Sequence, residues 1–334
     1  MNIYDISQRS GVSIATVSRV INNSSKVSAS TREKVLSVMQ ECGYTPNAFA
    51  RSLGLNSMYT VGILCVDSSD IFFSRVIYFL EQHLRQNNYA SMLSYTGTEL
   101  ADKKKQLQFL LSHQVDALLL VGSGFVESSK AANSYLYEAA KKVPVFLLNG
   151  CLSGSNIYSV LCDDYQGMYE LTRFLVQRGM RRPLYLHREL NYSGKSKLSG
   201  FTSACRKLLP DLTGDRVFSC PDQFAQAVRF LQEHASQFPP FDAILASDDE
   251  LAAAAVKFLH AQGLSIPDDV QVTGYNNSSY ALCSTPEITS LDNRGAFLCS
   301  TAVSQILQVL QGKDIPPSTL FTGTIIPRET TRTL

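Results

Sequence analysis

Six polar side chains in this sequence share one kind of position, directly after a run of apolar residues. They are Asp67, Asn149, Asp163, Asp248, Asp249 and Asn276. Carboxylates accept hydrogen bonds and amides both donate and accept them, so such a set can bind a ligand that carries hydroxyl groups. The runs themselves, such as "DALLLVGS" and "VPVFLLNG", are continuously apolar, which indicates parallel strands buried on both faces. Because open parallel sheets bind ligands at the carboxyl ends of their strands, these positions predict a small-molecule site.

The motifs that accompany catalysis or metal binding are not found in the sequence. "SGKS" at 193–196 matches the end of a phosphate-binding loop, but that motif needs a glycine where the chain has Glu189. There is no G-x-S-x-G and no H-E-x-x-H sequence. The 8 cysteines and 5 histidines are scattered without a CxxC pair, which predicts buried thiols in a reducing compartment and no zinc site. We therefore expect no catalytic residues, no metal and no cofactor.

A different pattern occupies the N-terminus, where "GVSIATVSRVIN" (residues 11–22) predicts a short helix after a turn at Gly11 and a cap at Ser13. One face of this helix is apolar and points inward; it contains Val17, Val20 and Ile21. The other face is small apart from one cation; it contains Ala15, Ser18, Arg19 and Asn22. A smooth helix face with a single arginine fits the DNA major groove, where arginine is the usual bidentate partner of guanine. The alternative is a structural helix bundle with a solvated Arg19.

The charge distribution favours an anionic partner for this segment. Residues 1–56 contain six lysines and arginines and three acidic residues, which gives +3, whereas the whole chain carries only +1. Two further short helices are predicted around the first one, the later of them starting at Ser28 or Ser30. The stretch "YTPNAFARSLGLNS" (44–57) then predicts either a linker or a short helix that folds only on DNA and inserts Leu53 between base pairs from the minor groove.

From residue 58 onward, apolar runs alternate with amphipathic helical stretches, which predicts a doubly wound α/β architecture. The start "MNIYDISQRSG" has neither a basic nor an apolar segment, so we expect no signal peptide. No apolar run approaches the length of about 18 residues that a membrane span needs. A cytoplasmic protein without a membrane partner is the resulting expectation.

Nearly the whole chain resembles the lactose/galactose repressor family of bacterial transcription regulators. The resemblance rests on "GVSIATVSRVIN", "VSASTREKV", "GYTPNAFARSL", "DDYQGMYELTRFLVQRGMRRPLYL", "ASDDELAAAAVKFL" and "LSIPDDVQVTGYNN". It implies a helix-turn-helix domain at 1–45, a hinge helix and linker at 46–57, and an effector-binding and dimerisation domain at 58–334. That last domain would be a type I periplasmic-binding-protein-like body of two doubly wound α/β subdomains, with crossovers near 161, 290 and 320.

The resemblance also implies site residues. Ile14, Ala15 and Arg19 would read bases, Ser13 and Thr16 would anchor phosphates, Asn22 would complete the DNA-facing side, and Leu53 would be the minor-groove wedge. The effector-binding residues would be Phe72, Phe73, Asn149, Asp163, Lys197, Asp248 and Asn276. Two of these depart from the family pattern, since Lys197 replaces an arginine and Asn276 an aspartate. Of the adjacent acids, we expect Asp248 to contact the ligand and Asp249 to cap the helix that follows.

The function implied is that of a repressor of carbohydrate-utilisation genes that binds palindromic double-stranded operator DNA as a homodimer or tetramer. A small sugar would control its operator affinity. Two alternatives stay open for the effector: a nucleoside or phosphorylated metabolite, or no small molecule at all. A solute-binding protein is a more remote alternative, because the N-terminal segment would then have no role.

Overall fold

The computed structural model describes residues 2–21, 24–44, 57–67, 70–188 and 190–333. Three helices form the N-terminal part, which we call the head (residues 2–44). They are α1 (Ile3–Ser10), α2 (Ile14–Ile21) and α3 (Ala29–Glu41). Asn2 caps α1 in a capping box with Asp5, and Gly11 ends that helix at a φ of 66°. Ser28, rather than Ser30, caps α3.

The head has a small apolar core of its own. Its buried side chains are Ile6, Val17, Val20, Val35 and Met39, contributed by all three helices. Val17 and Val20 therefore fix the orientation of α2, because turning this helix would expose both of them to water. The predicted inward face of α2 is the buried face.

The rest of the described chain forms two six-stranded sheets, each the centre of one lobe. The first sheet contains β1 (Thr60–Cys65), β2 (Ala90–Tyr95), β3 (Ala117–Val121), β4 (Val145–Leu148), β5 (Ile157–Cys162) and β11 (Ser318–Phe321). The second contains β6 (Pro183–His187), β7 (Val217–Ser219), β8 (Ala243–Ala246), β9 (Gln271–Tyr275), β10 (Thr289–Asp292) and β12 (Thr324–Ile326). The strand order is β11-β5-β4-β3-β1-β2 in the first lobe and β12-β10-β9-β8-β6-β7 in the second. All pairings are parallel except that of β10 with β12.

Helices cover both faces of each sheet, as the continuous apolar strands predict. They are α4 (Ile71–Gln86), α5 (Leu100–Ser112), α6 (Ser134–Ala140), α7 (Asp164–Gln177), α8 (Tyr192–Leu208), α9 (Phe224–Glu233), α10 (Asp249–Ala261), α11 (Ser279–Cys283) and α12 (Gly295–Leu310). In the first lobe α4 and α12 pack on one face, and α5 and α6 on the other. In the second lobe α9 and α10 cover one face, and α7 and α8 the other. The predicted two-lobed, doubly wound α/β fold is confirmed.

The chain passes between the lobes three times. It leaves the first sheet after β5, returns to it through α12 after β10, and leaves again between β11 and β12. Because three separate connections join the lobes, a change in the angle between the lobes must involve all three of them.

Candidate functional site

The exposed face of α2 is the first candidate site. Ile14 is 39% exposed, and Ala15 and Arg19 are also exposed, while Val17 and Val20 hold the opposite face in the core. The Ser13 hydroxyl accepts a hydrogen bond from the Thr16 amide at 3.2 Å and lies 2.9 Å from the Thr16 hydroxyl. Ser13 thus caps α2, and both hydroxyls sit at the N-terminus of this helix. Such a terminus presents free amides and positive partial charge, which suits a phosphate.

Two residues predicted to contact DNA, Asn22 and Leu53, lie outside the described residues. The same holds for most of the predicted hinge helix at 46–57. Their roles stay predictions.

The second candidate site lies where the strand ends of the two sheets face each other, which we call the cleft. Contacts between the lobes define it. The Ser123 hydroxyl, after β3, donates to the side-chain oxygen of Asn191, after β6, at 2.8 Å. Asp70, which caps α4 in the first lobe, is close enough to Asp248 and Arg188 of the second lobe to respond to their charges. Burial raises the pKa of the Asp70 carboxyl, and Asp248 raises it further, whereas the amides of Phe72 and Phe73 and the Arg188 charge lower it.

Arg188 stands at the centre of the charged groups in this cleft. Its Nε lies 3.1 Å from an Asp248 oxygen, and its Nη2 donates to Glu250 at 2.9 Å. A further guanidinium N–H donates to the backbone oxygen of Asp222. Burial lowers the pKa of Arg188, but the neighbouring acids outweigh it and raise the pKa above its ordinary value. The sequence did not point to this residue, and its position directly after β6 was the one available signal.

Of the adjacent acids, Asp248 rather than Asp249 caps the helix that follows, which differs from the prediction. Asp248 is the cap of α10, because its side chain accepts from the Leu251 amide at 2.8 Å. Asp249 is 1% exposed and accepts from the Ser278 amide and the Ser290 hydroxyl, both at 2.5 Å. The predicted capping role of Asp249 is therefore wrong. Its carboxylate is inside the lobe because α10 starts one residue earlier, which turns position 249 toward β9 and β10.

Lys197, one of the predicted effector-binding residues, is buried in the second lobe. Its ammonium donates to the Ser247 backbone oxygen at 2.9 Å and lies 3.9 Å from the centre of the Tyr275 ring. The Tyr275 hydroxyl in turn donates to Asp164 at 2.8 Å, and Ser193 donates to the other oxygen of that carboxylate. Burial raises the pKa of Tyr275 well above its ordinary value, so this phenol stays protonated and acts as a donor.

Asn149, Asp163 and Asn276 lie at the ends of β4, β5 and β9, and each already has a partner. The Asn149 side chain accepts from the Cys162 amide at 3.4 Å, and Asp163 caps α7 by accepting from Gln166 at 2.9 Å. Asn276 accepts from Asn293 at 3.0 Å. A carboxylate or amide oxygen has a second lone pair, so these contacts leave capacity for a ligand.

The two predicted aromatic residues have different surroundings. Phe73 packs against Gly122, where even a Cβ would approach its ring to 2.8 Å. Phe72 lines a cavity of ≈ 250 Å³ that includes residues of both lobes. Asn276, on the far side of this cavity, belongs to the second lobe. Phe72 is thus the one of the pair that faces open space.

No group of three or more potential metal ligands occurs within the described ranges. Among the same residues, no helix has both the length and the apolar composition that a bilayer span requires.

A helix-turn-helix head followed by a two-lobed α/β body is the architecture of a bacterial DNA-binding regulator. Comparison with known proteins agrees. The model for bacterial regulatory proteins of the lacI family matches residues 2–47, and the periplasmic binding protein-like domain matches residues 172–331. An HTH-type transcriptional regulator of Lachnoclostridium phytofermentans is 47% identical over 331 residues, which cover 99% of both chains. The ribose operon repressor of Haemophilus influenzae is 30% identical, with 91% of this chain and 90% of the relative covered.

A solved structure of the lac repressor dimer bound to operator and the anti-inducer ONPF has the same fold. It superposes with a TM-score of 0.89 at 23% identity, over 100% of this chain and 99% of that one. The chain belongs to the lacI family of bacterial regulatory proteins and is a DNA-binding transcriptional regulator. These relatives are regulators and not enzymes, in agreement with the prediction of a non-enzymatic protein.

Proposed function

We propose that this protein is a repressor of carbohydrate-utilisation genes whose operator affinity is set by a small polyhydroxylated ligand in the cleft. It would act as a homodimer on a palindromic operator, with one head on each half-site. The observation that carries the proposal is the set of charged and polar side chains that both lobes direct to one cleft. Asp70 and Ser123 come from the first lobe, and Arg188, Asp248 and Asn276 from the second.

This set suits sugar hydroxyls because it offers donors and acceptors side by side. A hydroxyl can donate to Asp248 or Asp70 while it accepts from Arg188 or an asparagine amide. A hydrogen bond to a charged group contributes about 1.5–3 kcal/mol net, so a few of them account for micromolar binding. The acids near Arg188 also disfavour a ligand that carries several negative charges.

The relatives support a sugar more than another ligand class. One relative is named a ribose operon repressor. A similar structure is a transcriptional regulator CelR–cellobiose complex, with a TM-score of 0.70 at 23% identity. Another, from Alkaliphilus metalliredigens, is complexed with D-xylulofuranose, with a TM-score of 0.71. A nucleoside is the competing outcome of the test.

At the operator, α2 would lie in the major groove. Its face of Ile14 and Ala15 allows close approach, and Arg19 reaches a guanine edge. Ser13 and Thr16, at the N-terminus of α2, would hold a phosphate. Leu53 would insert at the minor groove in the centre of the operator.

Ligand binding in the cleft would be transmitted by the angle between the lobes. The first lobe follows directly on the segment that joins the head, so a change of that angle changes the spacing of the two heads in a dimer. Such coupling between two sites typically amounts to about 1–3 kcal/mol.

The test measures operator affinity and ligand binding on the same full-length protein. An operator is first selected from a random palindromic DNA library. Neutral sugars, sugar phosphates and nucleosides are then titrated by calorimetry, and each binder is added to an operator-binding assay. We expect a neutral sugar to bind and to change operator affinity about 5- to 150-fold, the range of typical coupling energies. Binding by nucleosides alone, or no binder at all, would contradict the sugar proposal while leaving the DNA-binding role intact.

Asp248→Asn provides a matched variant for this test. Asparagine is as good a helix cap as aspartate, so α10 should be retained. The variant removes one anionic acceptor and should weaken sugar binding about tenfold, or about 1.4 kcal/mol. Unchanged sugar affinity in this variant would place the ligand elsewhere.

A further inference from the structure

The chain that comes from the head reaches the first lobe at residues 57–60, where one carboxylate holds it. Asp116, the residue before β3, accepts hydrogen bonds from the Met58 amide at 2.9 Å and from the Thr60 amide at 2.8 Å. Its own amide donates to the Thr60 carbonyl oxygen at 2.8 Å. We call these three hydrogen bonds the junction clamp.

The junction clamp acts on the part of the chain that carries the head. We propose that Asp116 is a positioning residue for operator binding, because the junction clamp sets the direction in which the chain leaves the first lobe toward the head; this rests on the proposed binding of an operator by a dimer. Asp116 would act through residues 57–60 and would not touch the DNA itself.

Tyr59 lies between the two clamped amides in a conformation that needs support. Its φ of 49° falls in the left-handed region, which bulky residues other than glycine seldom adopt. Such a conformation persists only where the surrounding contacts fix it. Its carbonyl oxygen accepts from the Ala90 amide at 2.7 Å, and its ring centre lies 5.3 Å from that of Tyr89. With both neighbouring amides held by Asp116, Tyr59 keeps this conformation and the preceding chain keeps one direction.

The second lobe contains the same device at a place where no head is attached. Asp242 stands directly before β8 as Asp116 stands before β3, in the similar stretches "FDAILA" and "VDALLL". Asp242 accepts from the amides of Arg181 and Arg182, the latter at 2.8 Å. Its own amide donates to the Arg182 carbonyl oxygen at 3.0 Å. Because this clamp lies within one lobe, it isolates what the arrangement contributes to the fold alone.

The two clamps differ in what precedes them along the chain. The clamp of Asp242 follows the end of α7, whereas residues 45–56 connect the junction clamp to the head. A dimer binds a palindromic operator with two heads, and the second head binds at an effective concentration that depends on the connecting chain. Without the junction clamp each head would sample more directions, so this effective concentration would fall. Loss of Asp116 should therefore weaken binding of a complete operator but not of a single half-site.

The experiment compares Asp116→Ala with Asp242→Ala in the full-length protein. An operator selected from a palindromic library and a duplex with one half-site serve as the two DNA probes. We expect Asp116→Ala to bind the complete operator about tenfold or more weakly than the wild type, and the half-site as tightly as the wild type does. Asp242→Ala loses the same kind of hydrogen bonds and also an ion pair with Arg182 at 3.8 Å. This control should bind both probes like the wild type, because its clamp lies within the second lobe.

Urea unfolding of both alanine variants shows whether they are folded and comparably stable. Asp116→Asn is the second variant, because asparagine keeps one of the two acceptor oxygens and retains part of the clamp. It should lose less affinity for the complete operator than Asp116→Ala does, and again none for the half-site. Should Asp116→Ala fail to fold, unchanged operator affinity in Asp116→Asn would overturn the positioning role.

Two results with a folded Asp116→Ala would overturn the positioning role and leave the proposed function standing. The first is binding of the complete operator as tight as that of Asp242→Ala. The second is an equal loss of affinity on both probes, because that loss would come from damage to the head. If the wild type binds one half-site as tightly as the complete operator, the proposed dimeric binding is wrong, and the positioning role with it.

Discussion

Replacement of Arg188 by methionine should destabilise the second lobe by about 2–3 kcal/mol. Arg188 is paired with Asp248 at 3.1 Å and with Glu250 at 2.9 Å, and the three side chains are 17%, 23% and 23% exposed. Methionine keeps most of the aliphatic volume but leaves both carboxylates without their cation. Removing one partner of a fully buried ion pair costs about 3–5 kcal/mol, because the remaining charge is uncompensated. The residual exposure of all three groups gives water some access, so the cost here should be lower.

Urea unfolding followed by circular dichroism measures this cost at neutral pH. The sharpest comparison is a triple variant in which Arg188→Met is combined with Asp248→Asn and Glu250→Gln. This variant has no orphaned carboxylates, so it should recover most of the lost stability, whereas independent effects would simply add. The difference in stability between the triple variant and the sum of the separate changes, rather than the loss in Arg188→Met alone, measures the ion pairs.

Arg85→Met is the matched control, since Arg85 pairs with Glu81 on the surface of α4 with side chains that are 70% and 43% exposed. Exposed pairs of this kind contribute little, so the control should lose less than about 0.5 kcal/mol. The reasoning is refuted if Arg188→Met costs no more than this control, or if the triple variant is less stable than the single one.

Three other predictions concern the head, the buried Asp249 and the pocket. Arg19→Ala should weaken operator binding by about 1–3 kcal/mol and relax the preference at one guanine in each half-site, whereas an equal loss on all DNA sequences would make Arg19 a phosphate contact. Burial raises the pKa of Asp249 from 3.8 to about 6, so the folded protein holds this proton more tightly than the unfolded chain. This raised pKa contributes its full stabilisation below about pH 4, and the contribution is lost as the pH rises through about 6. We therefore expect the free energy of unfolding, measured with urea, to fall less between pH 5 and pH 7.5 in Asp249→Asn than in the wild type. Asn276→Asp should shift binding toward neutral sugars and away from anionic ligands in a calorimetric screen, and an unchanged ranking would remove Asn276 from the site.

Strands with a continuous apolar run could be predicted from the sequence, whereas β7 and β11 could not. The apolar runs at 116–123 and 143–150 became β3 and β4 because such segments are stable only when both faces are covered. In contrast, β7 and β11 are partly exposed along their length, so neither has a continuous apolar run to recognise. Their positions follow from pairing with β6 and β5, which is a property of the assembled sheet.

The candidate site shows a similar limit. Polar residues after strands were visible in the sequence, but their roles depend on backbone direction. Adjacent acids at 248 and 249 look alike in a sequence, and only the start of α10 decides that Asp248 faces the cleft while Asp249 is buried. Arg188 was missed for another reason. Its partners Asp248 and Glu250 are some 60 residues away in sequence, and the fold alone brings the three together.

The buried position of Asp249 links the candidate ligand contacts to the crossovers between the lobes. Its carboxylate holds the Ser278 amide, just after the loop that carries Asn276, and the Ser290 hydroxyl of β10. β10 leads directly into the crossover to α12, and Asp248, the neighbouring residue, is paired with Arg188 in the cleft. Gly274 is needed here, since a Cβ at that position would lie 2.2 Å from an Asp249 oxygen. If the proposed ligand displaced Asp248 or Asn276, the movement would act on this buried junction and shift the strand that enters the crossover, so that a ligand contact would change the angle between the two lobes.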